Sequence, residues 1–251
     1  MNYVKFERLA DIGVITLNRP ERLNAIGAEL LDDFHAVLRA AQSDPTLKVL
    51  VLTGAGRAFC AGDDLKDFSR QTESPASIRH HVERIQQISR DLMFGDKPVV
   101  GAIHGYAVGG GFEWLLNCDV VVASEDLCCF FPEMEWGQFV TGGVTHLLPQ
   151  AVGYQKAMEL WLLGEKQNAK ALLDLRLVNW VVPRDDVMRK AMNIAATIAA
   201  KSAFSVSRLK TLVTTQLQAQ ISTALELEQA ATIACFGTDE AASRVRKFES
   251  T

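Results

Sequence analysis

The sequence predicts an α/β protein whose core alternates short buried strands with helices and whose C-terminal segment is entirely helical. Two observations carry this. Apolar runs rich in β-branched residues recur at 13–17, 48–53, 98–103 and 120–124, each too short for a helix. From Val187 onward the apolar residues follow helical spacing instead. The chain therefore divides into an α/β core over 1–186 and a helical segment over 187–251, and its 251 residues are ample to bury a core.

Taken in order, Tyr3–Glu7 and Gly13–Leu17 form an opening hairpin around Asp11. Asn18, Arg19 and Pro20 end the second strand. Leu30, Leu31, Phe34, Val37 and Leu38 then fall on one face of a helix over 26–41. Lys48–Thr53 is a buried strand closed by Gly54, Ala55 and Gly56, and this strand, helix, strand succession needs a crossover connection. The following stretch, GRAFCAGDDLK at 56–66, places Ala61 and Gly62 before polar residues. It is either a plain turn or a place where backbone donors lie exposed. Polar residues 69–76 form a mobile loop of the kind that edges pockets, leading into a helix over Ile78–Leu92.

The stretch from Lys97 to Asp119 organises the chain. Pro98–Ile103 is a strand, Gly105, Gly109, Gly110 and Gly111 strip side chains from a tight turn, and Phe112–Cys118 is a buried helix. The first free N–H groups of that helix face the glycine turn, with Glu113 beside them. The plainer account is that the glycines only let strand and helix pack closely and that Glu113 suits a helix N-terminus. A second carboxylate shifts the balance. After the strand Val120–Ser124 and the segment Cys128–Phe131, Pro132 delivers Glu133 from a different element. Two acids in apolar surroundings suit general acid/base chemistry.

Beyond Glu133 lie a glycine-rich turn at 137–144, helices around 154–163 and 168–174, a strand over Leu177–Val182, and helices over Met188–Ala200, Ser205–Gln218 and Ser222–Cys235. No internal sequence repeat stands out.

Composition narrows the function classes. A net charge of −4, with acidic and basic residues mixed along the chain, gives no reason to expect nucleic acid or an anionic membrane as a partner. The apolar runs are too short for a membrane span. Five cysteines without disulfide or metal spacing read as packing residues of a reducing, cytoplasmic compartment, with Cys118 and Cys128 the most buried. There is no HExxH metal motif and no dinucleotide fingerprint. His80 and His81 fall on a surface helix, His104 is a satisfied core residue, and His146 sits near the turn after Glu133.

Together, NRPERLNAI at 18–26, GRAFCAGDDL at 56–65, KPVVGAIHGYAVGGGFE at 97–113, CD at 118–119, PE at 132–133 and LVNWVVP at 177–183 resemble the crotonase (enoyl-CoA hydratase/isomerase) superfamily across nearly the whole chain. The resemblance implies a spiral of repeated β-β-α units, a C-terminal helical segment used in trimerisation, and a homo-oligomer, either a trimer or a dimer of trimers. It implies an acyl-CoA thioester as substrate, with no separate cofactor. By motif position, the backbone N–H groups of Asp63 and Gly110 would form an oxyanion hole. Donors aimed at a developing enolate oxygen stabilise charge that appears only along the reaction path, and one such donor is worth about 3 kcal/mol.

Acids at both family positions, Glu113 and Glu133, imply a hydratase, with Glu113 holding the water and Glu133 giving a proton to the α-carbon. A double-bond isomerase, a C–C or thioester hydrolase, and a non-catalytic CoA- or RNA-binding protein are the alternatives. Leu23, Asn24, Ala61 and Asp64 are CoA contacts by resemblance. The chain departs from the family pattern in the turn GQFVTGGVTH at 137–146, in Arg176 where a glycine is usual, and at its C-terminus, where Arg244, Arg246 and Lys247 either stand in for a basic tail or form a solvated face. Phe112, Trp114, Trp136 and Phe139 either pack the core or shape the pocket for an aromatic or alicyclic acyl group.

Overall fold

A computed structural model describes residues 3–64, 74–236, 238, 240 and 243. Residues 69–73 of the expected loop, and Arg244, Arg246 and Lys247, lie outside the described residues.

The β-branched runs assemble into one six-stranded sheet. Its strands are β1 (Val4–Leu9), β2 (Ile12–Leu17), β3 (Val49–Gly54), β4 (Val99–Ile103), β6 (Val120–Ser124) and β9 (Trp180–Val182), in that spatial order. β1 and β2 are the expected antiparallel hairpin, with Val4 opposite Leu17, and every later pair is parallel. The interior strands read as continuous apolar runs because both faces are covered. Ile15, Leu17, Leu50, Leu52, Val99, Ile103, Val121 and Ala123 point to the side of α1 (Ala28–Ser43) and α2 (Pro75–Phe94). The alternate residues Ile12, Val14, Val49, Val51, Val100, Ala102 and Val122 point the other way. There they meet Val187, Ala191, Ala195 and Ala199 of α8 (Val187–Ala199), so the first helix of the C-terminal segment is a layer of the core.

A smaller sheet runs beside the first, in the order β5 (Tyr106–Val108), β7 (Cys128–Phe130), β8 (Gln167–Asn168). The chain visits it repeatedly. β4 is followed by β5 and then α3 (Gly110–Leu116); β6 is followed by β7 and then α4 (Glu133–Trp136). In the two earlier turns the visit shrinks to single bridging residues. Ile26 pairs with Asp63 between β2 and α1, and Cys60 pairs with Ala107 between β3 and α2. Each turn of the resulting spiral is thus a long-sheet strand, a short-sheet excursion and a helix.

The remaining helices are α5 (Val144–Val152), α6 (Tyr154–Leu163), α7 (Ala169–Asp174) and α9 (Ala203–Phe236). Several expectations are corrected here. The helices expected at 205–218 and 222–235 are one helix of 34 residues, α9. Nothing between them breaks a helix, and Ile221 in the supposed gap is buried against Met93 and Leu225. α2 begins three residues before Ile78, because Ser74 Oγ accepts the Ser77 N–H at 3.1 Å and Pro75 supplies a favourable first position. α3 starts at Gly110 rather than Phe112, and the supposed turn contains β5. Among the cysteines, Cys60 and Cys129 are the buried ones, whereas Cys118 and Cys128 are half-buried; in β7, strand alternation turns Cys129 inward and its neighbour outward. Among the described residues no helix is long and apolar enough to cross a membrane.

Candidate active site

The spiral brings successive excursions edge to edge, and a cavity of about 220 Å³ opens beside them. Ala61, Gly62 and Asp63 line it from the second turn, Gly109, Gly110 and Glu113 from the third, and Pro132 and Glu133 from the fourth. Thr232 and Phe236 of α9 close it from the C-terminal side.

Backbone geometry sets the donors. Ile26 donates its N–H to the Gly62 carbonyl at 2.8 Å and accepts the Asp64 N–H at 3.0 Å. The groups on either side of Asp63 are therefore used, and its own N–H lies on the opposite side, with no described residue accepting it. Gly110 is the first residue of α3, so its N–H has no intrahelical partner. The approach is tight enough at Gly62 to require glycine: φ there is +82°, and an added Cβ would meet the Val108 carbonyl oxygen at 2.8 Å. A Cβ on Gly110 would press only the movable tip of Ile26, with Cδ1 at 2.7 Å.

Glu113 is 1% exposed. Its Oε1 accepts the Thr141 N–H and its Oε2 the Thr141 hydroxyl, each at 3.0 Å. Burial pushes its carboxyl well above the ordinary range, and the nearby charges of Glu133 and Glu228 push the same way against the two Thr141 bonds. Glu133 Oε2 is buried and finds no hydrogen-bond partner among the described residues. Burial raises this carboxyl to about 8, with Asp63 adding to the effect. A carboxyl that holds its proton near neutrality, with one oxygen unpartnered in a cavity, can deliver that proton to a ligand. Glu113 and Glu133 repel each other's ionisation, so they titrate as a pair.

The other sequence-predicted residues divide. Ala61 lines the cavity; Leu23, Asn24 and Asp64 do not. Leu23 contributes its carbonyl, which accepts the Ala61 N–H at 3.0 Å. The Asn24 side chain is fully buried and bound to turn backbone: Nδ2 donates to the carbonyls of Ala55 and Ala58, and Oδ1 accepts the Arg19 N–H. The buried Asp64 carboxylate accepts from Arg19 at 2.8 Å and Arg22 at 2.6 Å, which ties the segment after β2 to the Ala61–Asp64 turn. Among the bulky aromatics, Phe112 stacks on Phe131 at 4.6 Å and Trp114 sits edge-on to Phe34 at 5.1 Å, both in the core. Trp136 and Phe139 line the cavity, with Phe130 and Phe236.

Two histidine expectations fail. His81 is buried, lines the cavity and places Nε2 3.0 Å from Asp63 Oδ1. Its spacing from Ile78, Val82 and Ile85 puts it on the inward face of α2. His104 is half-buried and its Nε2 has no hydrogen-bond partner among the described residues. His146 does not line the cavity.

Sequence reasoning also missed Thr141 and Glu228 as site residues. The signal for Glu228 was a carboxylate inside the buried stripe Ile221, Ala224, Leu225, Glu228, Thr232 of α9. Among the described residues no cluster of His, Cys, Asp and Glu is placed to hold a metal ion.

The spiral of strand, short-sheet excursion and helix defines a crotonase-superfamily protein, and the solved structures agree. An enoyl-CoA hydratase/isomerase from Mycobacterium paratuberculosis superposes with a TM-score of 0.93 over 98% of each chain, at 26% identity. Residues 7–249 match the family model for enoyl-CoA hydratase/isomerase, and the chain belongs to that family. It is 30% identical over 249 residues to a short-chain-enoyl-CoA hydratase of Clostridium acetobutylicum, covering 99% of this chain and 95% of that one. It is 31% identical over 232 residues to a mitochondrial enoyl-CoA hydratase of Pongo abelii, covering 91% and 78%.

Proposed function

We propose that the chain is a hydratase, adding water reversibly across the conjugated double bond of an α,β-unsaturated acyl-CoA. The observation that carries this is the pair of buried carboxyls, Glu113 and Glu133, brought to one cavity from successive turns. The thioester oxygen is received by the N–H groups of Asp63 and Gly110. Water held by Glu113 gives up a proton to the Glu113 carboxylate as its oxygen adds to the β-carbon, electron density moves to the thioester oxygen as an enolate, and the enolate collapses as Glu133 protonates the α-carbon. CoA is part of the substrate, and the steps use no metal, flavin or nicotinamide. The aromatic wall of Phe130, Trp136, Phe139 and Phe236 suits an aromatic or alicyclic acyl group. Exposed Phe204, Leu209, Leu212 and Val213 on α9 support a homo-oligomer, trimer or dimer of trimers.

One observation favours a second reading. Both Glu113 oxygens already accept bonds from Thr141, which leaves Glu133 as the acid with an unpartnered oxygen. A single acid moving a proton between carbons is an isomerase. Ultraviolet absorbance of enoyl-CoAs from crotonyl to cinnamoyl decides between them. The conjugated-enoyl signal falls with the wild type and ranks the acyl groups, and it falls at only a small, measurable fraction of that rate with Glu113→Gln and with Glu133→Gln. A flat wild-type trace, or a Glu113→Gln variant that shifts a 3-enoyl bond at the wild-type rate, rejects hydration.

A further inference from the structure

We propose that Glu228, on α9, is a positioning residue for Glu113, acting through the turn 141–145. The inference rests on the reading of Glu113 above, but the residues that carry it are different. Glu228 is 1% exposed, and its two oxygens accept the Gly143 N–H at 2.7 Å, the Thr145 N–H at 2.8 Å and the Thr145 hydroxyl at 2.6 Å. These bonds are made at the start of α5 by a side chain more than eighty residues away in sequence. A serine or aspartate just before α5 would cap it locally. This chain has Gly142 and Gly143 there instead, so the cap comes from α9.

The glycines explain why. A Cβ on Gly142 would lie 2.8 Å from both Cβ and Oε2 of Glu113, so the turn rests directly on that side chain. At Gly143, the residue that caps α5, φ is +76°, so a capping serine or aspartate would be strained there. The turn is held from both ends. Asn117, the C-cap of α3 one helical turn beyond Glu113, donates Nδ2–H to the Gly142 carbonyl at 3.1 Å, and Glu228 fixes Gly143 and Thr145. Between them Thr141 presents its N–H and O–H to Glu113. With Glu228 removed, two adjacent glycines free the segment that orients the acid.

The test is a double-mutant cycle of Glu228→Gln and Glu113→Gln on crotonyl-CoA hydration, with thermal melts to establish folding. The amide of Glu228→Gln turns an N–H donor toward backbone donors and loosens the turn. kcat falls about ten-fold or more, in line with misplacing a reacting group, while KM stays within about two-fold. In the Glu113→Gln background Glu228→Gln has no further effect, because the residue acts through Glu113. The proposal is overturned if folded Glu228→Gln keeps wild-type kcat, or if its full loss is repeated on top of Glu113→Gln. If Glu228→Gln does not fold, Thr145→Val removes one donor with the carboxylate in place, and the same cycle is read with it. A Glu113→Gln variant with wild-type kcat refutes the role of Glu113 itself, a separate result from either failure.

Discussion

Gly109→Ala separates the chemistry from the scaffold. Gly109 precedes α3 at φ +51° and ψ −121°, and an added Cβ would lie 2.5 Å from Glu133 Oε1. Ordinary contact needs about 3.4 Å, so the Glu133 carboxyl must retreat by nearly 1 Å. The retreat is sterically easy, because the clash falls on the tip of a side chain whose other oxygen has no partner among the described residues. Stability therefore loses chiefly the backbone term, about 1–3 kcal/mol for an L-residue in a region reserved for glycine. For a domain of this size that lowers Tm by about 2–4 °C per kcal/mol. Activity loses more, since a catalytic group displaced by about 1 Å costs roughly a hundred-fold in rate. Steady-state hydration assays beside thermal melts should show a folded enzyme with kcat down about two orders of magnitude. A folded Gly109→Ala variant with kcat within about three-fold of wild type would refute the placement of Glu133 as the proton donor.

Glu133→Gln should be nearly inactive yet more stable. The carboxyl rises from 4.5 to about 8 on folding, so the folded state binds more protons between those values and stability falls as pH rises through that window. Gln removes the penalty, by about 3 kcal/mol at most at neutral pH, and urea melts at pH 5 and pH 8 should show a much larger gain at the higher pH. Lys210 on α9 is buried, with Nζ donating to the Leu92 and Lys97 carbonyls and to Asp119 Oδ2 at 2.7 Å. Lys210→Met should cost about 3 kcal/mol, and an unchanged urea midpoint would show that the bonds contribute nothing net. Arg176 sits at φ +61°; Arg176→Gly should raise stability by about 0.5–1 kcal/mol, seen as a higher melting temperature.

The long sheet was legible because residues such as Val49–Leu52 and Val121–Ala123 are buried on both faces and read as apolar runs. The spiral was not legible from the residues themselves. Its second strand is three residues long in two turns and single residues, Ile26 and Cys60, in the others, so no shared pattern survives for a repeat to be noticed. The resemblance supplied it. Glu113 and Glu133 stood out as carboxylates beside glycine and proline turns. Glu228 and Lys210 did not, because α9 buries different residues along its length and its exposed leucines blur the stripe. Asn24 shows the opposite failure: a buried polar residue in a conspicuous motif is occupied with three backbone bonds, one to Arg19 of its own turn and two to Ala55 and Ala58 of the turn after β3.

The site's two kinds of part differ in how substitution reaches them. The proposed oxygen-binding donors at Asp63 and Gly110 are main-chain groups, present whatever side chain follows and kept in place by glycines at 62 and 109. The two acids are side chains, each on its own turn of the spiral. One base change can delete an acid while the thioester cradle stays intact. On this architecture the proposed grip on the thioester is hereditary and slow to change, whereas the reaction performed there is open to revision one carboxylate at a time.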